Sequence, residues 1–134
     1  MIKRFGGDFD KIAAACLAAQ ANYQSVCFSS MGRDAGGAYR NQPTQAIAAC
    51  YKVQDSALRI NCLDGAVQDS FWDPSGQSDA VSFCRLLTDQ PEKDSCYNTI
   101  FDRAIDIIET SQRRSFCSQA EADYQFICRQ RLKL

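Results

Sequence analysis

The sequence predicts an all-α chain, a tandem array of four αα-hairpins (an α-solenoid) with one cysteine pair in each hairpin. Three observations predict it. Eight cysteines stand at positions 16, 27, 50, 62, 84, 96, 117 and 128, and their gaps alternate between 11–12 and 21–23 residues along the whole chain. The flanks recur with them: Ile12-Ala13-Ala14-Ala15-Cys16, Ile47-Ala48-Ala49-Cys50, Val81-Ser82-Phe83-Cys84 and Arg114-Ser115-Phe116-Cys117. Apolar residues between these points follow helical spacing. Self-similarity with a period of about 34 residues marks a stacked-repeat architecture. The units fall at about 8–41, 42–76, 77–110 and 111–134, and the 134 residues read as a single domain.

Each unit reads as a short first helix and a longer second one. In the first unit, Ile12 to Ala19 is apolar, but Asp8 and Asp10 interrupt its approach, so it fits a buried helix face better than an export signal. Ala13-Ala14-Ala15-Cys16 also lacks the large aliphatic residue of a lipidation site. Helix starts lie between the paired cysteines. Thr88-Asp89-Gln90-Pro91-Glu92 offers an acceptor side chain to open amides and a proline in the first turn. Asp55-Ser56 holds the same place in the second unit, with Asn22 and Asp123 as counterparts in the first and fourth. The stretch from Ser95 to Thr110 carries an amphipathic stripe of Tyr97, Ile100, Phe101, Ala104, Ile105 and Ile108. Gly36-Gly37 with Asn41 to Pro43, and Pro74 with Gly76, read as breakers between units; the third boundary, near Thr110 to Gln112, is tight.

Two pairings compete for the cysteines. In one, each hairpin closes on itself: Cys16–Cys27, Cys50–Cys62, Cys84–Cys96 and Cys117–Cys128. In the other, both members of a pair lie on one long helix and cross-link to the next. On a helix, 11 residues return to within about 20° of the same face, but 12 miss it by about 120°. Pro91 would break a continuous helix within the third pair. Both points favour local staples, although eight cysteines admit many connectivities.

The 34-residue period and the single cysteine pair per hairpin resemble the disulfide-bridged Sel1-like proteins within the wider tetratricopeptide-type solenoids. The resemblance spans residues 8–134. It implies a right-handed array of stacked hairpins with an extended concave surface, and it carries no functional residues across.

Cysteine usage this high and even points to an oxidising compartment, so the expected location is periplasmic or secreted, with the export signal not present in this chain. The Ala-rich first helix and the basic, cap-like end at 129–134 also fit a longer array truncated at its N-terminus. No segment has the roughly 18 apolar residues of a membrane span. The formal net charge is −1, which gives no pull toward nucleic acid. The charge is nevertheless blocked: +3 over 1–53, −7 over 54–110 and +3 over 111–134. Such blocks are either solvated surface or a basis for self-association.

The sequence contains no histidine, which removes Ser-His-Asp and Cys-His nucleophile systems and histidine metal sites. No phosphate-binding glycine motif occurs; Gly32 to Gly37 reads as a turn-like run. Asp102, Asp106 and Glu109 share a helix side opposite the apolar stripe and read as solvated rather than acid–base groups. The stretch from Asp73 to Asp79 alternates oxygen ligands like a calcium loop, but its glycine is misplaced and no bidentate glutamate follows. No cofactor, metal or catalytic residue is expected. The residues singled out for partner binding are Tyr39, Arg40, Phe71 and Trp72, since aromatic and arginine side chains anchor interfaces; Phe71 and Trp72 could instead plug the gap between repeats. The expected role is a non-catalytic interaction or scaffold module for a protein or peptide. The alternative is a thiol-based metal-binding or redox protein.

Overall fold

A computed structural model describes residues 8–134, and among them the chain forms eight α-helices and no strand. In chain order these are α1 (Phe9–Leu17), α2 (Ala21–Ala38), α3 (Pro43–Cys50), α4 (Ser56–Ser70), α5 (Gln77–Leu86), α6 (Gln90–Ile107), α7 (Thr110–Gln119) and α8 (Ala122–Arg131), with a 3₁₀ turn at Pro74–Gly76. They pair as four hairpins. Cys16–Cys27, Cys50–Cys62, Cys84–Cys96 and Cys117–Cys128 each join the first helix of a hairpin to its second, across Cα separations of 5.5 to 5.6 Å.

Local chemistry explains most of the boundaries. Asp8 opens α1 by accepting from the amides of Asp10 and Lys11 at 3.1 and 3.2 Å. Asp55 caps α4 through the Leu58 amide at 3.0 Å, and Asp89 caps α6 through the Glu92 amide at 3.2 Å, with Pro91 inside the first turn. The first and fourth units differ from expectation. Their second helices start after Gln20 and Glu121, neither of which caps through its side chain, and Asn22 and Asp123 lie within the first turn. There the open ends of the preceding helices are held instead by Gln24, which donates to the carbonyls of Leu17 and Ala19, and by Gln125, which donates to Ser118 and Ala120. The second helices are the longer in the first three units only; α8 has ten residues, as does α7. The tight third boundary is real: α6 ends at Ile107, α7 begins at Thr110, and Arg113 donates to the carbonyls of Ile105, Ile108 and Leu132.

Gly36 and Gly37 do not separate the first two units; α2 runs through both. Gly32 and Gly36 instead face α4. A Cβ on Gly32 would lie 1.9 Å from the Cys62 carbonyl oxygen, and one on Gly65 of α4 would lie 2.2 Å from the Ser29 carbonyl oxygen of α2. The two helices therefore touch backbone to backbone, which only glycine permits.

The second helices α2, α4, α6 and α8 contact one another in sequence, and α3, α5 and α7 do likewise. Buried side chains from every helix form one continuous core. At the junction of units two and three, the buried Glu92 accepts from the Tyr51 hydroxyl at 2.6 Å and from Arg59 at 3.3 Å. Nearby, the Ser95 hydroxyl donates to Asp64 at 2.6 Å. At the junction of units three and four, Tyr124 stacks on Tyr97 with ring centroids 4.1 Å apart, and its hydroxyl bonds Asp94.

Candidate functional site

Four helices converge where the first three units meet. The loops leaving α2 and α4 and the sides of α3 and α5 enclose a cleft of about 230 Å³. Of the four residues picked out for partner binding, three line it: Tyr39, Arg40 and Trp72. Phe71 does not belong with them. It is fully buried, and its ring stacks on Phe116 of α7 at 5.7 Å. Adjacent residues leaving a helix point apart, so one of the Phe71-Trp72 pair enters the core and the other is pushed outward. Phe71 fills the space against Phe116 of α7, and of the two only Trp72 is exposed.

Trp72, the single tryptophan of the chain, is 71% exposed. An indole left in water is unfavourable by its large apolar area. Its backbone, however, is fixed. Arg103 of α6 donates to the carbonyls of Phe71 at 3.0 Å and Trp72 at 2.8 Å, which ties the loop to the third unit. On the opposite wall, Tyr39 is half-buried with its ring 5.9 Å from Phe9. Arg40 pairs with Asp69 at 3.1 Å. The turn between them and α3 is closed by Asn41 at φ 64°, a left-handed position that asparagine tolerates, and by the Gln42 amide bonding the Tyr39 carbonyl at 2.8 Å.

Charge in the cleft is mainly negative. Arg40 faces Asp69, Asp73 and Asp79. Asp73 receives the Ser75 amide at 2.8 Å and the Ser75 hydroxyl, and these hydrogen bonds hold its carboxyl below the usual aspartate range, so it stays ionised. The segment read as a resemblance to a calcium loop is thus an Asx-type start to the 3₁₀ turn. Among the described residues, no cluster of three or more His, Cys, Asp or Glu side chains is placed to hold a metal ion.

A second, shallower hollow of about 490 Å³ lies on the other side of Trp72 and shares Asp69 with the first. It adds Arg33, Arg103, Asp102 and Asp106 to the charged rim. Asp102, which pairs with Arg131 of α8, lines this hollow together with Asp106, whereas Glu109 immediately precedes α7 and is not among its lining residues. Asp69 and Arg103 were not legible as site residues: nothing local marks Asp69 as the partner of Arg40, or Arg103 as the guanidinium that will reach the Phe71 and Trp72 carbonyls from α6. All eight cysteines are paired in the four disulfides. No helix is long and apolar enough to cross a membrane among the described residues.

No family model matches this chain, and neither a curated protein nor a solved structure does.

Proposed function

We propose that this chain is a non-catalytic interaction module of an oxidising compartment, periplasmic or extracellular, and that it takes a protein or peptide partner across the Trp72 ridge. The observation that carries the reading is the exposed Trp72 on a backbone clamped by Arg103, between two hollows. A large indole presented at low entropic cost is a typical interface anchor. The five aspartates around it (69, 73, 79, 102 and 106) against Arg33, Arg40 and Arg103 favour a partner segment that is basic as well as apolar. A cationic side chain laid over the indole face would add a cation–π contact. Four intramolecular disulfides are compatible with the compartment. The likeness to disulfide-bridged Sel1-like solenoids fits the same role, since stacked hairpins recognise partners along an extended surface.

The test is selection of peptides from a random display library on the oxidised protein, followed by calorimetric titration of the unaltered chain and of Trp72→Ala, with Trp72 fluorescence read in the unaltered chain. The expected result is enrichment of peptides with basic and apolar residues, whose binding shifts the emission and falls at least tenfold in Trp72→Ala. Selected peptides that bind Trp72→Ala as tightly as the unaltered chain would refute the proposal.

A further inference from the structure

The two hollows beside Trp72 differ in the charge they leave unanswered. In the shallower one, Arg33 and Arg103 stand against Asp69, Asp102 and Asp106, and Asp102 is already taken by Arg131. Charge there is close to balanced. In the cleft, Arg40 is the only cation among the lining residues, and Asp69 engages it at 3.1 Å. Asp73 and Asp79 stand on the same rim, both exposed, and no cation among the described residues pairs with either. The Asp73 carboxylate is fixed in place by the Ser75 amide and hydroxyl, and Asp79 by its position in the first turn of α5.

Below that rim the cleft is apolar. Its lining includes Ala46, Ala66 and Phe83, all buried, and Tyr39 and Trp72 flank it. At about 230 Å³ it is smaller than the roughly 300–1,000 Å³ of a pocket for a drug-sized ligand, which leaves room for one side chain. An apolar floor under an anionic rim suits a long side chain that buries an aliphatic stem and keeps its charged head in water. Lysine and arginine both do this, and the indole separates them. A planar guanidinium stacks on an aromatic face and engages carboxylates through paired bonds, whereas an ammonium is a compact, strongly hydrated point charge. Arg40 on Asp69 already shows the guanidinium–carboxylate pairing within the same cleft.

We propose that the cleft is an arginine subsite: one arginine of the partner lays its stem over Ala46, Ala66 and Phe83 and sets its guanidinium between Trp72 and the carboxylates of Asp73 and Asp79. The inference rests on the Trp72 reading for the source of that arginine, a protein or peptide, and adds which residue enters and which hollow receives it.

NMR titration of the oxidised, isotope-labelled chain tests it with two probes, N-acetylarginine amide and N-acetylcitrulline amide, which share a shape while only the first is charged. The arginine probe should shift the amides of Ala46, Ala66, Ser75 and Asp79 with millimolar affinity, and the citrulline probe should bind at least fivefold more weakly. Asp73→Asn combined with Asp79→Asn should weaken the arginine probe at least fivefold and leave the citrulline probe unmoved. Asparagine keeps the acceptor at position 73, and four intact disulfides with unchanged helical circular dichroism verify the fold; Asp79→Asn alone replaces the pair if it fails this check. Equal binding of the two probes overturns the proposal, as do shifts confined to other surfaces, no shift at tens of millimolar, or an arginine response indifferent to the asparagine changes. The partner reading fails separately. Display peptides that ignore Trp72→Ala sink that reading while the arginine response stands; peptides lost in Trp72→Ala that bind the asparagine variant unchanged sink the subsite alone.

Discussion

Three glycines in one helix should respond to the same substitution with opposite signs. In α2, Gly32, Gly36 and Gly37 are all helical, so propensity alone predicts that alanine at each would stabilise by up to about 1 kcal/mol. The seam with α4 decides otherwise. At Gly37 the nearest atoms to a new Cβ are side-chain atoms at 3.9 and 4.0 Å, an ordinary contact, and Gly37→Ala should stabilise by roughly 0.5 kcal/mol or more. At Gly36 the Ala66 carbonyl oxygen lies at 2.8 Å and the Asp69 Cβ at 3.0 Å, a backbone clash that outweighs the gain and makes the substitution mildly destabilising. At Gly32 the obstacle is the Cys62 carbonyl oxygen at 1.9 Å. Backbone cannot swing aside as a side chain can, so α2 and α4 must part by about 1.5 Å to restore van der Waals distance, and a gap of that size forfeits much of the dispersion across the seam.

That seam holds Phe28, Met31, Ala35, Leu63 and Ala66, all buried. Overpacking against backbone costs at the upper end of the 1–3 kcal/mol typical of such changes or above it, and the propensity gain returns about 1. Gly32→Ala should therefore destabilise by about 3 kcal/mol and lower the melting temperature by roughly 10 °C. Urea unfolding of the three oxidised variants reads the order directly: Gly37→Ala above the unaltered chain, Gly36→Ala somewhat below it, Gly32→Ala lowest. If Gly32→Ala stabilised as much as Gly37→Ala, the backbone contact between α2 and α4 would be refuted.

Reduction should remove most of the fold's stability: each staple closes a loop of 11 or 12 residues, worth about 3 kcal/mol, and four such terms rival the 5–15 kcal/mol of an ordinary domain. A strong reductant under native conditions should abolish the cooperative thermal transition; a reduced chain that still melted sharply would show that the core carries the fold unaided. Asp64 gives a pH signature. Burial raises its carboxyl to about 6, against the opposing pull of the Ser95 and Thr99 hydroxyls. Its folded pKa lies above the ordinary 3.8, so the folded state binds the proton more tightly, and this residue's contribution to stability grows as pH falls from 7 through 6 toward 4. Asp64→Asn should thus gain roughly 1–2 kcal/mol over the unaltered chain at neutral pH, after allowance for its partial exposure, and the advantage should vanish near pH 4; stability curves that run parallel between the two would contradict it.

The sequence carried the parts of this fold that are fixed locally or by period. Cysteine register placed all four hairpins, and Asp55 and Asp89 were legible as caps because an acceptor side chain followed by a helical pattern is a local signal. Gly36-Gly37 misled for a physical reason: glycine frees the backbone for a turn and equally lets two helices touch, and the chain alone does not say which. A clue was present in the four-residue spacing of Gly32 and Gly36, which puts both on one face of a helix. Phe71 and Trp72 are adjacent and chemically alike, and only the position of Phe116 from another unit separates the buried ring from the exposed one. Glu92 and Asp64 gave no warning at all, since their burial depends on Tyr51, Arg59 and Ser95 arriving from neighbouring helices.

Those same hidden contacts answer a problem that repetition creates. Four similar hairpins with similar staples could in principle stack in the wrong order or skip a neighbour, because each offers a comparable apolar face. Here no two junctions share a chemistry. The first is a glycine seam in which α2 and α4 meet backbone to backbone, and a unit with a side chain at the place of Gly65 could not enter it. The second requires a carboxylate at Glu92 to meet Tyr51 and Arg59, with Arg59 also 5.0 Å from the Tyr51 ring centroid. The third stacks Tyr124 on Tyr97 and bonds its hydroxyl to Asp94. Placing the Glu92 unit on the first unit would strand a buried carboxylate without its arginine, a loss of several kcal/mol. The disulfides hold each hairpin together but are silent about order, since all four are local. Order is encoded at the seams, and this explains why the cysteines repeat faithfully while the residues between units do not.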